Sequence, residues 1–189
     1  MPAADSFFVD TNVLLYGVAS RNLRKQHAAR LWLEALWATG TGRLSWQVLH
    51  EFYANAGSKM KLPPDAARRQ VLQFAEWAPA GPSLQSLSRA WHWIDSAQVS
   101  LWDGLILAAA EQLECRWLLS EDFQSGRTYA GITVVNPFLA LPEQYGLAPT
   151  IARARVQIIL TALITAWTGQ EEGPGVFPAW PPSVLPRLA

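Results

Sequence analysis

The sequence predicts an α/β domain built around a parallel sheet. Short apolar runs at 7–9, 117–119 and 132–135 have the length of buried strands. Longer segments with apolar residues at three- and four-residue spacing separate these runs, as is typical of amphipathic helices. Half of the 189 residues are hydrophobic and 16% are charged, so the chain can bury a substantial core. Strands that alternate with helices favour a parallel sheet.

The predicted elements follow one another with clear breaks. A strand at 7–9 opens the domain, a short strand is possible at 43–45, and strands at 117–119 and 132–135 close it. Glycines at 40–42 and prolines at 79–82 mark two of the breaks. Helices are expected at six places: from Val13 onward, at 27–39, around Glu51, from 63 to about 77, at 83–96 and at 100–113.

The chain changes character after about Leu147, which predicts a domain at 1–147 and a C-terminal extension at 148–189. A helix is expected at 150–168. Its uninterrupted apolar run, 156–167, has 12 residues, fewer than the ~20 that a membrane span needs. We therefore expect a docking or dimer helix and no membrane insertion. The prolines at 174, 178, 181, 182 and 186 predict an irregular tail.

Composition restricts the function classes. A formal net charge of zero argues against a protein that coats nucleic acid, although a local basic patch stays possible. The lone Cys115 excludes an intramolecular disulfide and a cysteine zinc site. A single cysteine and an N-terminus without a signal-peptide pattern predict a cytoplasmic protein. Most of the ten tryptophans are expected in the core or in interfaces, and base stacking is the less common alternative.

Four acids stand at the edges of apolar runs. Asp10 and Asp122 each lie just past a predicted strand, and ligands of a parallel sheet bind beyond the carboxyl ends of its strands. Asp103 lies in the first turn of a helix and shares a face with Ile106 and Leu107, while Glu51 lies within an apolar helix. Carboxylates are rarely buried unless they are paired or bind a metal. The four acids together predict a divalent-cation site suited to phosphodiester chemistry.

Each acid also has a structural interpretation. Asp10 is a good N-cap for the next helix, and Asp103 can form a capping box with the Ser100 amide. Glu51 alone would more commonly be an exposed glutamate. Asn12 and Ser120 are either supporting residues that orient ligands or ordinary turn residues. Each of these alternatives explains one acid, whereas a metal site explains all four.

The segments that carry these acids resemble PIN-domain nucleases, and within them the bacterial VapC-like toxins. The similar segments are 8–16, 49–53, 100–110, 118–126 and 134–138. The resemblance implies a three-layer α/β/α domain with Mg²⁺- or Mn²⁺-dependent endoribonuclease activity. It also implies a toxin of a toxin–antitoxin pair, with an RNA substrate, a cognate antitoxin partner and a homodimer.

The resemblance also assigns roles to residues. The catalytic, metal-binding cluster would consist of Asp10, Glu51, Asp103 and Asp122, with support from Asn12 and Ser120. Glu121 would share or replace the role of Asp122. Two features depart from the family pattern: Ser120 stands where many members have threonine, and the extension passes the usual domain end.

Basic residues near these segments are candidates for weak contacts with RNA phosphates, with ordinary solvated surface as the alternative for each. They are Arg21, Arg24, Lys25, Lys59, Lys61 and Arg127.

Other functions fit the sequence less well. A phosphatase of the haloacid dehalogenase type needs a second acid two residues after the first, where this chain has Asn12. A catalytically inactive PIN-fold module that binds RNA or protein is a non-enzymatic alternative. An RNA-processing nuclease outside a toxin–antitoxin pair is another.

Overall fold

The computed structural model describes residues 5–18 and 22–147, and within them it confirms the predicted α/β class. A five-stranded sheet has the order β2-β1-β3-β5-β4. Its strands are β1 (Phe7–Val9), β2 (Gly42–Arg43), β3 (Trp117–Leu119), β4 (Thr128–Tyr129) and β5 (Ile132–Val135).

The sheet is parallel except at one edge. Strand β1 pairs in parallel with β2 and β3, and β3 pairs in parallel with β5. Strand β4 runs antiparallel to β5. In the β1–β3 register Val9 lies opposite Leu119. The residues that follow these two strands, Asp10 and Ser120, therefore emerge side by side at the carboxyl edge of the sheet.

Helices account for most of the rest of the described chain. They are α1 (Thr11–Val18), α2 (Leu23–Thr39), α3 (Trp46–Ser58), α4 (Pro64–Ala75), α5 (Leu84–Ala97) and α6 (Leu101–Gln112), followed by a 3-10 turn at Pro142–Tyr145.

Most differences from the predicted boundaries have local causes. Helix α2 begins earlier than its apolar spacing predicts, because the Asn22 side chain accepts a hydrogen bond from the Lys25 amide and caps it. Helix α1 starts directly after Asp10, two residues earlier than predicted. The short strand expected at 43–45 is β2, at Gly42–Arg43. Strand β4 and the 3-10 turn were not predicted, because elements this short leave no periodic pattern.

The core lies on both faces of the sheet. Phe7, Phe8 and Val9 are fully buried although their side chains alternate between the two faces of β1. Helices must therefore cover both faces, as the three-layer arrangement requires. On one side the ring of Trp32 from α2 lies 5.7 Å from that of Phe7.

The helix expected at 150–168 and the proline-rich tail lie outside the described residues, so the division at 147/148 stays a prediction. Of the helices in 5–18 and 22–147, none has the length and apolar character needed to cross a membrane.

Candidate active site

Two neighbouring strand ends form the base of the site. The backbone amide of Asp10 donates to the carbonyl of Leu119 at 3.0 Å, and that of Ser120 donates to Val135 at 3.1 Å. These bonds extend the sheet ladder one residue beyond β1 and β3. The Asp10 side chain is only 5% exposed and Ser120 is fully buried. The parallel register thus places a carboxylate and a hydroxyl against each other inside the protein.

A dense set of hydrogen bonds surrounds Asp10. Its Oδ2 accepts from the Ser120 hydroxyl at 2.6 Å and from Asn12 Nδ2 at 2.8 Å, and its Oδ1 accepts from the Thr11 amide at 2.6 Å. Asn12 Nδ2 also lies 3.0 Å from Asp122 Oδ2. One amide group therefore connects two acids. We call Asp10, Asn12, Ser120 and Asp122 the strand-end cluster.

The cluster contains a buried polar atom without a partner. Asn12 Oδ1 is buried and accepts no hydrogen bond from the described residues. Buried polar atoms normally have a partner, and an ion or water that the structure does not include is a common reason for an exception. An oxygen at this position suits an oxygen-preferring cation or its water shell.

Glu51 reaches the same region from helix α3. Its Oε2 accepts from the Thr11 hydroxyl at 3.0 Å, and its Oε1 accepts from Gln47 Nε2 at 2.9 Å. Thr11 also donates its amide to Asp10, so a single residue contacts two of the acids. Both oxygens of the half-buried Glu51 carboxylate are thereby oriented. Neither Thr11 nor Gln47 was singled out from the sequence, although Gln47 lies one helical turn before Glu51.

Asp103 lies in the first turn of α6 and is bound locally. Its amide donates to the Ser100 hydroxyl at 3.1 Å, and this hydroxyl lies 2.8 Å from Asp103 Oδ2. The predicted capping box with the Ser100 amide is therefore replaced by a hydroxyl contact. Gln47 Nε2 lies 3.4 Å from the carbonyl of Trp102, which joins the start of α6 to Glu51. This hydrogen bond connects the residue before Asp103 with the amide that binds Glu51.

The acidic side chains of the described residues are not grouped closely enough to form a metal-binding shell by themselves. Within 5–18 and 22–147, no three Asp, Glu, His or Cys side chains are arranged to hold one ion. Asp10, Glu51 and Asp122 nevertheless act on one another electrostatically. The pKa of Asp10 is raised from its ordinary 3.8 to about 6, chiefly by burial; the hydrogen bonds from Ser120 and Thr11 lower it, and the charges of Asp122 and Glu51 contribute to the rise. A cation would remove this repulsion.

The Glu121 side chain is paired with a lysine, whereas the sequence suggested that it shares or replaces the role of Asp122. Its carboxylate forms an ion pair with Lys25, and the Lys25 ammonium lies 4.7 Å from the centre of the Tyr16 ring and 5.0 Å from that of Phe138. The hydrogen bond to Glu121 is the largest cause that raises the pKa of Lys25. Lys25 and Glu121 thus neutralise each other beside the loop that carries Asp122.

The other candidate RNA contacts are dispersed. Arg24 and Lys59 are exposed, and the Arg127 guanidinium lies 4.7 Å from the centre of the Tyr129 ring. Arg21 lies outside the described residues. No hydrogen bond or ion pair of the described chain connects Arg24, Lys59 or Arg127 with the strand-end cluster.

The chain was compared with solved structures, curated proteins and family profiles. Among solved structures, the chain is similar to the Mycobacterium tuberculosis VapC20 toxin, described as cleaving the sarcin-ricin loop. The identity is 17%, the TM-score is 0.45, and the match covers 60% of this chain and 87% of the other. No curated protein matches the sequence. The PIN domain profile matches residues 7–130 and thereby confirms the resemblance found in the sequence. This chain belongs to the PIN domain family.

Proposed function

We propose that this protein is a metal-dependent endoribonuclease and the toxin of a VapBC-type toxin–antitoxin pair. The strand-end cluster carries the proposal. In it a buried Asp10 and an Asp122 share one amide donor at the carboxyl edge of a parallel sheet, with Glu51 within reach through Thr11. Membership of the PIN family supports a nuclease in general terms. We propose in addition that the nuclease requires a divalent metal and acts on RNA.

The chemistry of the side chains at the site suits a divalent cation, although no three of the acids in the described residues are grouped around one point. Carboxylate and amide oxygens are the ligands that Mg²⁺ and Mn²⁺ prefer, and Asn12 Oδ1 is buried without a partner. The proposed metal ligands are Asp10, Glu51, Asp103 and Asp122. When bound, such an ion activates water and stabilises negative charge on a scissile phosphate.

The chain's own residues orient these groups. Ser120 and Asn12 hold Asp10 in one rotamer by donating to the same oxygen, and Asn12 extends this control to Asp122. Thr11 and Gln47 fix the two oxygens of Glu51. Such preorganised hydrogen bonds keep the carboxylates close despite their repulsion. We assign them a positioning role.

The toxin assignment rests on the similarity of the closing segment, 134–138, to the VapC-like toxins. It includes a cognate antitoxin, a homodimer and a cytoplasmic location as further proposals. It is supported if inducible expression arrests growth of a bacterial host, the Asp10→Asn variant does not, and a small protein encoded next to the gene restores growth. Growth arrest without any neighbouring inhibitor would favour an RNA-processing nuclease instead.

The nuclease is tested by incubating the full-length protein with a mixed RNA pool in EDTA, Mg²⁺ or Mn²⁺. We expect cleavage that requires metal and is lost in Asp10→Asn. The matched control is Asp95→Asn, which alters an exposed acid on α5 and should cleave normally. If the wild type and Asp10→Asn are equally inert with both metals, and no antitoxin has co-purified, the inactive binding module becomes the better interpretation.

A further inference from the structure

Helix α3 carries aromatic rings on its exposed face. Trp46, His50 and Tyr53 are spaced by four and three residues, so they share this face. Trp46 is 41% and Tyr53 is 43% exposed, and His50 is also exposed. The rings of Trp46 and His50 lie 6.0 Å apart. Large exposed rings in a row are uncommon on a surface that only meets water.

A fourth exposed ring lies in the first turn of α6. Trp102 is 61% exposed and directly precedes Asp103. Its carbonyl lies 3.4 Å from the same Gln47 Nε2 that donates to Glu51. We call Trp46, His50, Tyr53 and Trp102 the aromatic surface.

Three of the four ring residues directly precede a residue of the candidate site in the sequence. Trp46 precedes Gln47, His50 precedes Glu51, and Trp102 precedes Asp103. Gln47 and Glu51 each follow a ring residue of α3, so their side chains point about 100° around the helix axis from Trp46 and His50. A strand with its reacting group at Glu51 that extends around this side of α3 therefore reaches flat, exposed rings.

A positive charge stands at the far end of the row. The guanidinium of Arg68 on α4 lies beside the Tyr53 hydroxyl, and it also forms an ion pair with Asp65 at 3.0 Å. From Trp46 to Tyr53 the row extends about 10 Å along the helix axis. This length corresponds to roughly three nucleotide spacings of a stacked strand.

We propose that the aromatic surface stacks the bases of single-stranded RNA that flank the phosphate held at the acids. The proposal rests on the proposed nuclease function and adds the form of its substrate. Rings beside a phosphate-directed site suit nucleic acid, because every base offers a π-face while its phosphates stay in water.

RNA binding tests the proposal separately from cleavage. Fluorescently labelled oligoadenylate and oligouridylate are titrated with Asp10→Asn protein in Mg²⁺, and binding is followed by anisotropy. We expect Trp102→Ala to weaken binding about ten-fold, and Trp46→Ala by a smaller factor, because base–aromatic stacking contributes strongly to single-strand affinity. The preference for oligoadenylate over oligouridylate should shrink at the same time, because purines present larger stacking surfaces.

Two variants serve as controls. Trp102→Phe keeps a stacking ring and should bind within about three-fold of the parent. Trp91→Ala removes a tryptophan that is 50% exposed on α5 and should bind normally. Circular dichroism and melting temperature establish that each variant is folded. Unchanged RNA affinity in folded Trp46→Ala and Trp102→Ala overturns the proposal. If RNA affinity is unchanged and these variants lose binding to a protein partner, the surface is a protein-docking site and the proposal is overturned as well.

The outcomes also separate this proposal from the proposed function. If the protein with Asp10 intact cleaves RNA in Mg²⁺ while the tryptophan variants bind RNA normally, the nuclease stands and the stacking proposal fails. If binding depends on Trp102 while the protein with Asp10 intact cleaves nothing, the stacking proposal stands and the nuclease fails.

Discussion

The two halves of the site are built differently. Asp10 and Asp122 follow strands of one parallel ladder, and Asn12 lies within hydrogen-bonding distance of both. Glu51 and Asp103 are carried by helices α3 and α6, and Gln47 supplies the link between them. The strand-end half is specified by backbone register, whereas the helix-borne half depends on how two helices pack against the sheet. We therefore expect the strand-end half to be the more sensitive to loss of a single side chain.

Removing the shared amide should have the largest effect. Asn12→Ala leaves Asp10 and Asp122 without their common donor, so the two carboxylates repel each other directly. We expect cleavage or metal affinity to fall about 100-fold, the upper end of what supporting residues contribute. Metal titration by calorimetry and cleavage rates measure this. Asn136→Ala is the matched control, because the Asn136 side chain bonds the Phe138 amide and no acid. A loss below three-fold would contradict the role of Asn12.

The buried carboxylate should make the metal-free protein less stable as pH rises. The pKa of Asp10 is about 6 in the folded chain against 3.8 ordinarily, chiefly because of burial, so the folded state binds the proton more tightly. The free energy of unfolding in EDTA should then fall between about pH 4 and pH 6. The expected cost above pH 6 is of the order of 2–3 kcal/mol, at about 1.4 kcal/mol per pKa unit.

Denaturant melts of wild type and Asp10→Asn measure this effect as a difference between the two proteins. The difference should widen from pH 4 to pH 6 in favour of Asp10→Asn, and saturating Mg²⁺ should reduce it. A constant difference across this range would show that Asp10 titrates normally.

In the helix-borne half, the packing of α6 against α5 can be disrupted at Gly104. A Cβ at Gly104, the residue after Asp103, would lie 2.9 Å from the backbone oxygen of Ala90 on α5. Gly104→Ala should therefore push α6 away from α5 and lower stability by about 1–3 kcal/mol. Gly57→Ala is a contrasting control, because its Cβ meets nothing within 4 Å and alanine favours a helix by about 0.5–1 kcal/mol. If both variants melt alike, the close contact between α5 and α6 is not a constraint.

Loss of the Gln47 link between α3 and α6 should have the smallest effect on cleavage. Gln47→Ala removes one of two donors to Glu51 but leaves the Thr11 hydroxyl bond in place. We expect about a ten-fold loss of cleavage, the lower end for supporting residues, with partial recovery at higher Mg²⁺. Gln85→Ala, on the exposed face of α5, is the control. A loss greater than that of Asn12→Ala would reverse the ranking of the two halves.

The sequence predicted the strand-end half better than the helix-borne half. Strands at 7–9 and 117–119 appear as short apolar runs, and parallel pairing brings the residues after them together by geometry alone. Glu51 and Asp103 were identified as candidates, but their supports were not. Thr11 and Gln47 are ordinary residues in sequence, and their importance comes from contacts across 40 and 55 positions.

The sequence by itself determined the α/β class, the main strands and helices, and the acids that stand at their ends. Hydrophobic periodicity and the breaks between elements depend on residues that are close together in the chain. Only the tertiary structure decided which polar groups meet. It directed Glu121 to Lys25 and bound Asp103 to Ser100. It also brought the backbone carbonyl of Trp102 to the Gln47 amide that binds Glu51. These contacts depend on helix packing angles and on the rotamers of distant side chains, which local spacing does not encode.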